Sequence, residues 1–301
     1  MKLYLLLAAA NALKAPTRRS LIAATGAALV TPLTKAEAAT DELVDVYFGC
    51  GCFWHVQHEF VEAERRLLGR AGALVGHAPP ALAADEVVPV YFGQGCFWHV
   101  QHEFVEYERA LLNRDGAELS ARAGYAGGKA LDKNRVCYHN MRSVADYGKL
   151  GHTEVVGLQV PAGRVGDFAD RYFDLFVKYE NVPGFGTLLE RNDPGDRGGE
   201  YRSAIGIPGG TKSPLFSRVE EANAGRFKLV AGLGNEPDTF TKNTVYVYDT
   251  KDFPFHTAEI YHQFHNDFKG PRYPAAYNAL KDKMVENGQL TETGCPEGFA
   301  A

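Results

Sequence analysis

One segment of this chain is written twice. Leu43 to Arg70 reads LVDVYFGCGCFWHVQHEFVEAERRLLGR and Val87 to Arg114 reads VVPVYFGQGCFWHVQHEFVEYERALLNR, with six mismatches in twenty-eight positions at an offset of 44. Each copy joins a short β-prone run to an apolar pattern of helical spacing through a glycine-bearing turn, which makes it a strand–turn–helix unit. Two copies do not make a solenoid, because such arrays need at least three stacked repeats. A unit this small cannot bury its own apolar face, so it needs further chain to cover it. Only the second copy runs on into a long succession of elements. Residues 69–84 (GRAGALVGHAPPALAA) are rich in Ala, Gly and Pro and read as a linker. Residues 41–84 are therefore read as an orphan partial repeat with its linker, and residues 85–301 as the working domain.

Beyond the second copy the pattern alternates between strand and helix. Val88 to Phe92 is a β-prone run, and Phe97, Val100, Phe104, Tyr107 and Leu111 recur at helical spacing. His152 to Val160 reads as a strand. Val165, Phe168, Tyr172, Leu175 and Tyr179 give a second amphipathic helix. Strands are expected at Tyr201–Ile207 and Thr244–Asp249, and helices near Thr257–Phe268 and Pro274–Asn287. Long loops intervene, notably the glycine-rich 193–199. The class is α/β (α+β): a two-layer sandwich, a mixed β-sheet packed by helices, with long irregular loops.

The first forty residues have a different character. Lys2, Lys14, Arg18, Arg19 and Lys35 stand against Glu37, a net of +4, while the whole chain carries −5, so the remainder carries about −9. Two short apolar runs and an Ala36-Glu37-Ala38 site complete the pattern of a targeting leader. Neither run reaches the roughly 20 residues that span a bilayer. Arg18-Arg19 before the second run resembles a twin-arginine signal, and two leaders in series resemble plastid-lumen presequences. A plastid destination, in the thylakoid lumen, is the favoured reading; the secretory pathway is the alternative. The acidic balance of the rest argues against nucleic-acid binding.

Five cysteines, at 50, 52, 96, 137 and 295, are too few and too odd in number for a disulfide scaffold. They point to thiol chemistry, and Cys96 is the best placed. It stands where a strand turns into a helix, beside unpaired backbone N–H groups with partial positive charge. Such a position is expected to lower a thiol's pKa and raise its thiolate fraction. Phe97 and Trp98 next to it can wall off a small apolar group. Glu154 lies in the strand HTEVVGLQV and shares a face with Val156, Leu158 and Val160. Loss of hydration there is expected to raise its carboxyl pKa, as a general acid requires.

Gly95-Cys96-Phe97-Trp98 is followed in order by Gly124-Tyr125-Ala126-Gly127-Gly128, by Gly151-His152-Thr153-Glu154-Val155-Val156, by a segment from Asp196 to Ala204 (DRGGEYRSA), and by Ala258-Glu259-Ile260-Tyr261-His262-Gln263. In this order the segments resemble the A-class peptide methionine sulfoxide reductases. The resemblance covers about Val88 to Phe268. It implies thiol-dependent reduction of methionine (S)-sulfoxide, free or in proteins, a protein-repair activity under oxidative stress. It implies thioredoxin or another dithiol as the electron source, no bound cofactor, and a monomer.

By the same resemblance Cys96 is the nucleophile, Glu154 the proton donor, Phe97 and Trp98 the methyl pocket, and Asp196 and Tyr201 the polar side of the site. The family also uses a tyrosine before the G-H-x-E motif. The spacing departs here through an apparent insertion, leaving Tyr138 and Tyr147 as candidates, with Tyr138 favoured. His99 stands where the family usually has glycine. The nucleophile would leave the reaction as a sulfenic acid, to be resolved by a second thiol. Cys295, in the near-terminal Thr293-Gly294-Cys295-Pro296, is the first choice, although many relatives carry two cysteines there. Cys137 is the second, its plainer reading being a buried inert thiol. Cys50 and Cys52 are read as bystanders.

Two other function classes fit part of the pattern. Cys96, His99 and His102 are spaced by three and, with His262 and His265, offer the ligand types of a metal-binding module, although no metal is expected. A catalytically inactive methionine-binding relative is the other.

Overall fold

The structure, a computed structural model, describes residues 53–68 and 82–296 apart from Phe185, Pro194 and Lys269. The leader and Cys50 and Cys52 lie outside the described residues. The chain divides into two compact units, Met1–Pro80 and Ala81–Ala301. In the first, helix α1 (Phe53–Leu68) carries the helical part of the first copy. Everything that follows concerns the second unit.

Strand β1 (Val87–Gly93) and helix α2 (Phe97–Leu112) are the second copy of the repeated unit. Pro89 sits on β1 where the strand has a neighbour on one side only, since pairing on the other side begins at Tyr91; a missing N–H is harmless at such a place. The main sheet also contains β2 (Arg122–Ala126), β3 (Thr153–Pro161), β6 (Ala204–Ile207), β7 (Lys228–Ala231), β8 (Thr244–Asp249) and β9 (His256–Thr257). Its order is β7-β8-β6-β1-β3-β2-β9, antiparallel around β1 and β3 and parallel where β8 meets β6 and β7. A separate hairpin pairs β4 (Val177–Val182) with β5 (Gly186–Glu190). The remaining helices are α3 (Val165–Asp174), α4 (Phe216–Asn223) and α5 (Ala275–Glu286).

The fold is an α/β two-layer sandwich with a mixed sheet. One core joins inward residues of the strands (Val90, Phe92, Val156, Leu158, Ile205, Val247) to Phe104 of α2, Phe168 of α3, Val219 of α4 and Leu280 of α5. A smaller cluster of Tyr91, Tyr248 and Phe253 belongs to alternate strand positions and the loops. Among the described residues no helix is long and apolar enough to cross a membrane.

The second compact unit includes residues ahead of Asp85. Leu82 packs against the core, and the Ala84 carbonyl accepts the Gly163 N–H at 2.7 Å. Two helix expectations fail. The helix from Val165 stops at Asp174, and Val177 to Val182 is a strand instead. There Val, Tyr and Val suit a pleated ribbon, and β5 supplies the hydrogen-bonding partner. Residues 257–268 do not form a helix either; they give the end of β9 and a 3₁₀ turn at Ile260–His262. Tertiary hydrogen bonds override the local spacing. The Gln263 amide accepts from Ala123 N and donates to the Ala123 and Ala258 carbonyls, and Gln101 Oε1 accepts from Phe264 N. Phe264 itself sits at φ +51°. The strand expected at Tyr201 begins only at Ala204, because Gly199–Tyr201 is a 3₁₀ turn.

Candidate active site

The turn between β1 and α2 sets the nucleophile. Gly95 takes φ +68°, and a Cβ there would lie 3.0 Å from Arg191 Cδ, so both backbone sign and space call for glycine. The Gly95 N–H donates to the Tyr201 carbonyl at 3.1 Å. Cys96 is then the N-cap residue of α2, part-buried, and the free cysteine among the described residues.

Glu154 is 2% exposed and faces this helix start from β3. Its Oε2 accepts the Phe97 N–H at 2.9 Å, and its Oε1 accepts the Tyr147 hydroxyl at 3.2 Å. Burial raises its pKa well above the usual carboxylate value, and the Asp196 charge adds to this; the hydrogen bonds from Phe97 and Tyr147 pull the other way without winning. The rise agrees with the apolar strand face read in the sequence.

The Cys96 thiol departs from expectation. Burial pushes its pKa well up, and the Glu154 charge pushes it further; the Trp98 N–H lowers it and does not prevail. Desolvation and a facing carboxylate outweigh the helix end. The two groups are coupled: a proton on Glu154 removes one of the causes that hold the proton on Cys96.

Phe97 and Trp98, 1% and 2% exposed, form an aromatic wall with their neighbours. Trp98 stacks on His265 at 4.0 Å between ring centres, and the His262 ring lies 5.2 Å from Phe97 and 5.7 Å from Trp98. Burial pushes the His262 pKa down to about 3, so its imidazole is neutral. Such a wall offers an apolar surface beside Cys96.

The polar side is a set of tyrosines around the carboxyl. Tyr147 is fully buried and bonded to Glu154, while half-buried Tyr138 lies close enough to feel both Glu154 and Cys96. Tyr201 shares hydrogen bonds with both rings. The structure thus brings Tyr138 and Tyr147 to the same acid, and the direct bond belongs to Tyr147. Asp196 is half-buried, and its charge acts on both Glu154 and Cys96.

The reading of Cys137 as an inert thiol is corrected. Cys137 and Cys295 form a disulfide across 158 residues, with Cα atoms 5.6 Å apart. Cys295 is therefore already engaged rather than a loose thiol. Sequence spacing could not reveal a pair whose proximity depends on two loops meeting.

Other positioning residues escaped the sequence reading. Arg191, 1% exposed, donates to the Tyr201 carbonyl at 2.7 Å, to the Asp196 carbonyl, and to Asp238 Oδ1 at 2.9 Å. It therefore sets the backbone that carries both polar site residues. Arg202, also 1% exposed, donates to the carbonyls of Gly127, Gly151 and Gly199 and to the Tyr248 hydroxyl. It ties three of the quoted motifs together. Glu259 accepts from the Tyr125 hydroxyl at 2.8 Å and from Tyr138 N at 2.7 Å.

The histidines do not assemble with Cys96 as a ligand set. His102 stacks on Tyr273 at 3.7 Å, and His265 is spent on Trp98. Among the described residues the metal-ligand atoms that converge are those of Cys137, Glu259 and Cys295, and there the two sulfurs are bonded to each other.

No family model and no curated protein matches the chain. Among solved structures it is similar to methionine sulfoxide reductase A of Corynebacterium diphtheriae, at 16% identity, covering 76% of this chain and 96% of that one, with a TM-score of 0.34. It is also similar to Mxr1 from Saccharomyces cerevisiae in reduced form, at 18% identity, covering 71% of this chain and 93% of that one, with a TM-score of 0.33.

Proposed function

We propose that this protein reduces methionine (S)-sulfoxide to methionine. The observation that carries the reading is the pairing of a buried carboxyl with a free thiol at one helix start: Glu154 accepts the N–H of Phe97, the residue that follows Cys96. The five ordered sequence motifs support it.

A sulfoxide sulfur is a poor electrophile until its oxygen begins to take a proton. The chemistry therefore needs a protonated acid beside a thiolate. Burial raises the pKa of both groups, so both rest protonated. The substrate oxygen draws the Glu154 proton, the carboxylate left behind takes the Cys96 proton, and the Cys96 sulfur attacks the sulfoxide sulfur. The sulfide leaves, and Cys96 keeps the oxygen as a sulfenic acid. Phe97 and Trp98 hold the methyl group, and Asp196, Tyr201, Tyr147 and Tyr138 orient the polar part. A thioredoxin-like dithiol first reduces the Cys137–Cys295 disulfide; the Cys295 thiol so released condenses with the sulfenic acid, releasing water, and the dithiol then restores the thiols. No bound cofactor is required by these steps. The protein acts on free or protein-borne sulfoxide as a monomer, after delivery by its leader to the plastid.

The test is turnover of a racemic methionine sulfoxide with a dithiol reductant. Consumption of half the racemate, all of it the S epimer, is expected, with none in Cys96→Ser. Consumption of both epimers, or activity without Cys96, would overturn the reading.

A further inference from the structure

A third donor stands beside the Cys137–Cys295 disulfide: a Glu259 carboxylate oxygen lies within 4.8 Å of both sulfurs. Cys137 is fully buried, Glu259 is 1% exposed and Cys295 is half-buried, so the three donors are largely withdrawn from bulk water. Each is held by bonds other than the disulfide. The Cys137 N–H donates to the Ala145 carbonyl, and the Cys137 carbonyl accepts the Tyr147 N–H, both at 2.8 Å. One Glu259 oxygen accepts the Tyr125 hydroxyl at 2.8 Å and the other accepts the Tyr138 N–H at 2.7 Å. Arg135 donates to the Gly294 carbonyl at 2.6 Å, which fastens the Cys295 segment beside the one that carries Cys137.

We propose that reduction of this disulfide turns Cys137, Cys295 and Glu259 into a binding site for Zn²⁺ or a like thiophilic divalent cation. Two thiolates and a carboxylate are a zinc donor set, and a water completes the tetrahedron. Thiolates select such an ion over Mg²⁺ or Ca²⁺. Zn–S and Zn–O bonds of about 2.3 and 2.1 Å put the donors on one tetrahedral ion roughly 3.5–3.8 Å apart. The Glu259 oxygen needs only a small shift to meet that spacing. The two sulfurs, once unbonded, reach it by rotation about their Cα–Cβ bonds, with the Cα atoms 5.6 Å apart. The hydrogen bonds from Tyr125 and Tyr138 fix the carboxyl as outer partners fix a metal-ligating carboxylate. The charges also fit: two thiolates and a carboxylate around a dication leave a single negative charge, and the Arg135 guanidinium is held at the residue next to Cys295. An external dithiol gives up two electrons and two protons to the disulfide, leaving two thiols and its own disulfide. The ion then forms two metal–sulfur bonds and displaces the two thiol protons into solvent. Disulfide and metal are thus alternative states of one pair, and a bound ion withholds Cys295 from disulfide formation. The site stands on these three side chains and does not rest on the sulfoxide reading of Cys96.

The test titrates Co²⁺ and then Zn²⁺ into the full-length chain carrying Cys50→Ser, Cys52→Ser and Cys96→Ser, whose only thiols are those of the pair. After reduction with a phosphine and its removal, one Co²⁺ per chain is expected, with thiolate-to-cobalt charge-transfer absorption. Zn²⁺ should displace the Co²⁺ and abolish that absorption, and Mg²⁺ should not. The same chain with its disulfide intact should show no such band and retain no Zn²⁺ through dialysis. Adding Glu259→Gln keeps an oxygen for the Tyr125 and Tyr138 donors and should weaken Zn²⁺ at least about tenfold, the scale seen when even an outer partner is lost. Re-formation of the Cys137–Cys295 disulfide in that variant, found by peptide mapping, reports that its two loops still meet. No charge-transfer band from the reduced parent, equal Zn²⁺ retention by the oxidised chain, or an unchanged Zn²⁺ affinity in Glu259→Gln would each overturn the site. None of these outcomes touches the sulfoxide reading, which is tested separately by turnover of the S epimer.

Discussion

The Phe97 N–H donates to Glu154 Oε2 at 2.9 Å. The positive end of α2 is thus spent on the acid as well as on the cysteine that caps it. Both groups remain protonated longer than their free counterparts because both are buried.

Glu154→Gln separates the two roles. Gln can still receive the Phe97 N–H but cannot supply an acidic proton. Single-turnover reduction is expected to slow by about 10²–10⁴-fold, the usual worth of general acid catalysis. The same change removes a negative charge that raises the Cys96 pKa, so Cys96 alkylation by iodoacetamide should set in at lower pH. A wild-type reduction rate, or an unmoved alkylation profile, would take Glu154 out of the site.

The two copies of the repeated unit should not be equivalent. Cys96→Ser is expected to abolish sulfoxide reduction and Cys52→Ser to leave it nearly intact, as measured by steady-state turnover. Only Cys96 is followed by Glu154 and the tyrosines in one compact unit. Equal losses would assign a role to the first copy.

Gly95→Ala should cost about 1–3 kcal/mol of stability, the usual strain of a non-glycine residue at positive φ. The added methyl also presses on Arg191, which holds the Tyr201 and Asp196 carbonyls. A lower midpoint in urea together with slower single turnover is the expected result. A change in neither would show that the turn relaxes freely.

Arg202→Met leaves the Gly127, Gly151 and Gly199 carbonyls without their shared donor in a place closed to water. A loss of about 3–5 kcal/mol is expected, as for one member of a buried charged set. Urea unfolding measures it, and a loss below about 1 kcal/mol would mean water reaches the site.

Acid should destabilise the fold through its buried imidazoles. Burial holds His262 at about 3 and His152 at about 4. Between these values and the ordinary histidine pKa near 6.5, the unfolded chain binds protons that the folded chain refuses. Stability therefore falls as pH drops through that window, by about 1.4 kcal/mol per unit for each histidine. Glu154, shifted upward, acts in the opposite sense, holding a proton in the fold above about 4.3 that the unfolded chain gives up. His262→Phe should make the acid-side slope shallower by about one proton, read from urea midpoints at pH 4 to 7. An unchanged slope would show that His262 titrates in the folded state.

The sequence by itself was enough for the features that are local. The strand, the glycine-bearing turn and the helix around Cys96 follow from residue type and spacing over a few residues. Glu154 on an apolar strand follows from a period of two. Tertiary structure decided the rest, because it depends on groups far apart in the chain. Desolvation and the facing Glu154 raise the Cys96 pKa that the helix start alone would lower. The choice of Tyr147 for the direct bond to Glu154 depends on how the loop before β3 folds over the acid. Gln101 and Gln263 join segments 162 residues apart and withhold a helix that local spacing favoured. The meeting of Cys137 with Cys295 is set by two loops separated by 158 residues. Short-range periodicity reports which way a side chain points; it carries no information on which distant group it will meet, and burial and partner together determine the chemistry.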